Sequence, residues 1–221
     1  MVGPIVISLV SVSKGKEPKL SRIGVRDSKM LTKRKRKFLL EEIGALAEEV
    51  KVYSISNGEI NEAMKGKVSI NELEALNFAK LIDLMDVTPK KIFIDSPDVV
   101  SERFGMRIRL FSKSPLVIDG VKEPRRKDGR TPIRIVSEHK ADARYPVVSA
   151  ASIIAKVTRD EEIARIEESE DIRLGSGYPS DRYTTDAIKA DLREKRLRPY
   201  IRDYWKTMNL IKQLKIEDFI G

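Results

Sequence analysis

A chain of 221 residues with 41% hydrophobic and 35% charged residues buries one good core and is short for two ordinary domains plus a linker. It has no Cys and a single His, which excludes a disulfide scaffold, a thiolate zinc site, a cysteine nucleophile and a multi-histidine metal centre. Lys and Arg number 43 against 34 Asp and Glu, a net charge of +9, which points to a polyanionic partner, most often nucleic acid. A densely charged surface of the thermophilic kind is the blander alternative.

The elements follow in chain order. Pro4–Val12 is β-branched and bounded by Gly3-Pro4 and Lys14-Gly15-Lys16, so it reads as a buried strand. It lacks the basic flank and small-residue cleavage site of a signal peptide. No run approaches the apolar length of a membrane span, so the expectation is a cytoplasmic protein. Thr32 suits the N-cap of a helix over 33–48, with Phe38, Leu39, Ile43, Leu46 and Ala47 on one face. A strand over 50–56 follows, then an amphipathic helix over 71–86 built on Leu73, Leu76, Phe78, Ile82 and Met85.

Lys91–Asp95 is a short apolar strand ending in an acid, and a helix is expected over 98–110. Residues 112–131 read as a polar, basic loop containing Arg125–Arg130. Ile133–Glu138 is a strand, and 147–167 a long helix whose first half is lined with small residues. The turn-rich Gly175–Asp181 precedes two helical pieces over about 184–196 and 200–215. Alternating strands and helices predict an α/β domain with a C-terminal helical extension.

Four features carry chemistry. Asp95 and Asp142 each follow a predicted strand, at the carboxyl edge where α/β proteins build sites; each would equally serve as a helix cap. Two carboxylates converging at such an edge need a divalent cation between them, and oxygen-only ligands indicate Mg2+ or Mn2+. Beside a basic surface, that suggests phosphodiester chemistry. Tyr178, flanked by Gly177 and Pro179, is placed to stack on a base or sugar, or to pack on its own loop. Lys156 and Arg159 lie at helical spacing where both could meet phosphates, although charges so placed are usually just solvated. His139 has no paired nucleophile and is given a supporting role.

Taken together these segments resemble ribonuclease HII, above all its archaeal branch, over nearly the whole chain. The resemblance rests on Val25-Arg-Asp-Ser-Lys29, Asn71–Lys80, Ile92–Asp95, His139-Lys-Ala-Asp142, Pro146–Asp160, Gly175-Ser-Gly-Tyr-Pro-Ser-Asp181 and Trp205-Lys-Thr207. It implies an RNase H-like mixed sheet flanked by helices, with residues 1–170 as catalytic domain and 171–221 gripping the duplex. It implies metal-dependent cleavage of RNA in RNA–DNA hybrids, and at ribonucleotides embedded in duplex DNA. Of the family's four metal acids, Asp95 falls on the third and Asp142 on the fourth. Tyr178 falls on the tyrosine that stacks at the ribose–deoxyribose junction, and Lys29, Lys156 and Arg159 are substrate-binding candidates. A monomer is expected. Gln213, Leu214, Phe219 and Ile220 in the tail form no convincing sliding-clamp motif.

Three departures accompany the resemblance. The family's opening Asp-Glu-Ala-Gly-Arg-Gly strand has no counterpart before Gly3-Pro4, and the expectation is that the natural chain extends upstream. The alternatives are a catalytically impaired hybrid-binding relative, and a chain completed by a partner's strand. The basic 112–131 stretch is longer than the family usually has, and Arg182 stands where Pro is usual.

Overall fold

The computed structural model describes residues 1–25, 31–122, 131–191 and 193–204. Five strands and eight α-helices alternate along the described chain. They are β1 (Ile5–Ser11), α1 (Glu17–Ile23), α2 (Lys33–Leu46), β2 (Glu49–Ile55), α3 (Asn57–Lys65) and α4 (Ile70–Asp83). Then come β3 (Lys91–Asp95), α5 (Ser101–Phe111), β4 (Leu116–Ile118), β5 (Ile133–Glu138), α6 (Ala141–Arg144), α7 (Pro146–Glu170) and α8 (Arg182–Ala190).

The chain divides into two compact units: 7–53 with 71–157, and 1–6 with 54–70 and 158–221. In the first, β3, β5 and β4 form a parallel sheet in that order, with Ile92 opposite Ile135 and Leu116 opposite Ile133. In β5 the buried positions are Ile133 and Ile135–Ser137, while Arg134 at the strand's second position is exposed. Phe104 and Ile108 of α5, Ala75, Ala79 and Ile82 of α4, and Ile94 and Ile135 of the sheet share one core. Gly105 lets α5 sit close, since a Cβ there would lie 3.2 Å from that of Ser137. A second core joins Leu39 and Ile43 of α2 to Ala150, Ile153, Ile154 and Val157 of α7. The small-residue half of α7 therefore serves helix packing. β1 and β2 pair as a two-stranded sheet.

The other unit has its own core of Val2, Ile163, Ile166, Leu174, Ile188, Leu197 and Ile201. Arg202 is buried there, donating from Nε to the Gly3 carbonyl at 3.0 Å and from Nη2 to that of Pro4 at 2.6 Å.

Several elements differ from the sequence reading. Residues 116–118, expected within a loop, form β4, and α1 and α3 were not anticipated. α3 carries a full capping box, with the Ser56 hydroxyl accepting from Glu59 N and the Glu59 carboxylate from Ser56 N. Phe38, expected on the inner face of α2, is 52% exposed. The last helical piece, expected over 200–215, lies almost wholly outside the described residues, as do Arg125–Arg130.

Candidate active site

The carboxyl edge of the parallel sheet gathers both candidate acids. Asp95 is the last residue of β3, opposite Glu138 at the end of β5, and Ser96 N extends the ladder to the Glu138 carbonyl at 2.9 Å. Alternation along β3 buries Ile92 and Ile94 and leaves the Asp95 side chain exposed. Beyond β5, Lys140 adopts a left-handed conformation (φ 56°), which turns the chain sharply into α6. The turn brings Ala141 N–H to Asp95 Oδ1 at 3.0 Å. Asp95 thus does cap a helix, but α6 across the edge rather than the segment that follows it.

Asp142 stands one residue further, buried in the first turn of α6, where the helix dipole favours an anion. The edge is braced from below. Ser96 and Ser137 hydroxyls both donate to the Ser101 carbonyl, at 3.2 and 2.6 Å. His139 Nε2 lies 2.7 Å from the Asp98 carbonyl, which only accepts, so this nitrogen carries the proton. Asp98 itself is buried; Oδ1 accepts from Asn71 Nδ2 at 2.6 Å, and Arg107 Nε lies 3.5 Å from Oδ2. Neither Asp98 nor Arg107 was singled out from sequence, because their pairing spans separate helices and loops.

Carboxylate oxygens are hard donors of the kind Mg2+ or Mn2+ takes, so Asp95 and Asp142 fit such an ion. The resemblance implies a set of four acids, of which these two would be members. Among the described residues no group of three or more His, Cys, Asp or Glu gathers as a metal site.

Tyr178 belongs to the other unit and is held quite differently. Gly175 and Gly177 take positive φ values of 67° and 72°, and a Cβ on Gly177 would lie 2.8 Å from the Val2 carbonyl and from Ile163 Cδ1. Asp181 Oδ2 accepts from Ser176 N at 2.8 Å, and Oδ1 from Tyr183 N at 3.0 Å as the cap of α8. These bonds, the backbone N–H of Ser176 first, hold the Asp181 carboxyl below its ordinary range. Glu167 Oε1 accepts from Leu174 N and Gly175 N at the loop's start.

Arg159 is buried, not solvated. It donates to the carbonyls of Ser176 (2.9 Å) and Val2 (3.3 Å), and its guanidinium carbon stands 4.0 Å over the Tyr178 ring. The ring is nevertheless 43% exposed, so one face is backed by a planar cation while the side chain meets solvent. Lys156 is half-buried on α7, and Lys29 lies outside the described residues. A second pair, Arg173 over Tyr183 at 3.7 Å, was not foreseen.

Known proteins resemble this chain along nearly its whole length. The family profile of ribonuclease HII matches residues 1–208. The ribonuclease HII of Pyrococcus abyssi is 37% identical, covering all of this chain and 92% of that protein. That of Thermococcus sibiricus is 36% identical, covering 96% of this chain and 86% of the relative. Among solved structures, ribonuclease H2 from Pyrococcus horikoshii superposes with a TM-score of 0.78 at 34% identity, over 96% of this chain and 91% of that one. The Archaeoglobus fulgidus enzyme, solved in a PCNA:RNase HII complex, gives 0.78 at 35% identity over 99% and 94%. With that profile over nearly the whole chain and relatives 36–37% identical at near-full coverage, the chain belongs to the ribonuclease HII family.

Proposed function

We propose that this chain hydrolyses the RNA strand of RNA–DNA hybrids, and nicks duplex DNA at embedded ribonucleotides, using the carboxyl edge of β3 and β5 as its reaction centre. Membership of the family makes it a divalent-metal-dependent endoribonuclease; the choice of edge, residues and ion belongs to this proposal. Its main support is the Ala141 N–H to Asp95 bond, which ties the acid at the end of β3 to the start of α6, where Asp142 is the next residue.

Asp95 and Asp142 would hold the ion, Mg2+ or Mn2+. What a bound divalent ion supplies there is a more acidic water nucleophile and neutralised charge on the leaving 3′ oxygen. Asp95 keeps its orientation because one oxygen is engaged by the backbone of α6. Burial around Asp142 excludes loose water from one side of the edge. Tyr178 supplies a flat, half-open ring for a sugar or base, and Arg159 keeps that ring in one orientation. Residues 171–221 carry Tyr178 and grip the duplex, while Lys156 and Lys29 contribute phosphate contacts. No clamp partner is part of this reading.

The test is a cleavage assay on the 221-residue chain, using an end-labelled duplex with one ribonucleotide. A single nick in Mg2+ or Mn2+, abolished by EDTA, is the expected result. Tight binding with no nick in either ion would replace this reading with that of a hybrid-binding relative.

A further inference from the structure

We propose that the first two turns of α2 form a phosphate-binding tract that holds the flank of a nucleic-acid duplex beyond the reaction centre. The inference rests on the proposed substrate class and extends it to a surface that the candidate site does not include.

Lys33-Arg34-Lys35-Arg36-Lys37 places five successive cations at the start of a 14-residue helix, and no acid shares that turn. A helix N-terminus already carries the positive end of the macrodipole, so cations there oppose both the dipole and one another. Folding alone would favour Asp or Glu at these positions. Lys33, Arg34, Lys35 and Lys37 are exposed. None of these four forms a salt bridge among the described residues; Lys37 and Glu41 stand at pairing distance along the helix without one. Arg36 points inward instead and donates to the Leu31 carbonyl at 2.7 Å. Phe38 adds an exposed ring with Lys35 Nζ 4.8 Å from its centroid.

The fold aims this tract outward. Leu39 and Ile43 are fully buried against Ala150, Ile153, Ile154 and Val157, so the cationic positions around them face solvent. Those α7 residues begin one to three turns after Pro146, which itself closely follows Asp142. The tract and both acids therefore belong to one compact unit, so a duplex held at the acids can run on to the tract. An anionic membrane is the poorer match. An interfacial helix presents a broad apolar face, whereas the apolar face of α2 is buried and Glu41 and Glu42 follow the cations.

The experiment compares the wild type with the combined Lys33→Gln, Arg34→Gln, Lys35→Gln, Lys37→Gln variant, in EDTA so that binding is read without cleavage. Fluorescence anisotropy gives Kd against salt for a ribonucleotide-containing duplex of about 12 base pairs and one of about 30. On the long duplex the variant should lose about two to four from the slope of log Kd against log salt, and bind at least about tenfold more weakly near 0.1 M salt. The short duplex should change much less. Tm should stay equal or rise, since the variant relieves charge opposing the helix dipole, and the matching all-Arg variant should keep the wild-type slope. Unchanged slope and affinity on the long duplex overturn the tract. So does lost binding to phosphatidylserine vesicles with duplex binding intact. If neither protein cuts in Mg2+ or Mn2+ but the slope still falls, the tract stands and the catalytic reading fails.

Discussion

The sheet edge and the tyrosine loop solve the same problem, fixing one side chain, by opposite means. At the edge the backbone does it: parallel register places Asp95 opposite Glu138, and a left-handed Lys140 delivers Ala141 N–H to its carboxylate. In the loop the side chains do it: Arg159, Asp181 and Glu167 all bind backbone atoms of residues 174–183. The difference teaches that the edge is held by backbone geometry and should keep its shape when a charge is lost, whereas each side-chain tie in the loop is a point at which that loop can be weakened.

The largest expected effect tests the edge. Asp95→Asn keeps an oxygen for Ala141 N–H, so fold and duplex affinity should hold while cleavage falls on the order of a thousandfold. Full activity would remove Asp95 from the reaction, and a large loss of Tm would show that the edge depends on charge after all.

Next comes the loop. Arg159→Met leaves two carbonyls without their donor, each worth about 1–3 kcal/mol if buried, and frees the Tyr178 ring. KM on a single-ribonucleotide duplex should rise about tenfold with kcat changed less, Arg159→Lys recovering part of it. Combined with Tyr178→Ala, the loss should be clearly less than additive. Additive losses would separate Arg159 from the tyrosine.

The smallest effect concerns pH. Asp181 is held below the ordinary carboxylate range by backbone donors, so its folded pKa is depressed relative to the unfolded chain. Its contribution is present above the unfolded pKa and is lost as pH falls through the folded one. Asp181→Asn should therefore flatten the acid limb of the stability curve, with a difference of about 1 kcal/mol at neutral pH that closes below about pH 4. A constant difference across pH would mean that shape rather than charge holds the loop.

What the sequence disclosed follows the same division. β3 and β5 were legible to the residue because their β-branched stretches end at acids, and the placement of Asp95 at a strand end and of Asp142 beyond one was legible for the same reason. β4 was not, since three residues between Pro115 and Gly120 carry too little pattern against a basic background. The capping box opening α3 is written in Ser56-Asn-Gly-Glu59, but the strand pattern over 50–56 runs into the capping residue itself and masks it. Arg159 was read with Lys156 as a substrate-binding candidate, with plain solvation as the alternative. Its burial depends on carbonyls of Ser176 and Val2, whose approach no local pattern announces. Phe38 matched the helical period and still faces out, because α2 buries a stripe only as wide as Leu39 and Ile43.

The one histidine has a practical consequence. His139 is tied to the Asp98 carbonyl and sits three positions before Asp142, so the chain carries a native reporter at its acidic edge. With no second imidazole to overlap it, its ring protons give an isolated pair of resonances in a proton NMR spectrum. Events at that edge are then visible in unlabelled protein, through a residue outside the proposed metal-holding pair.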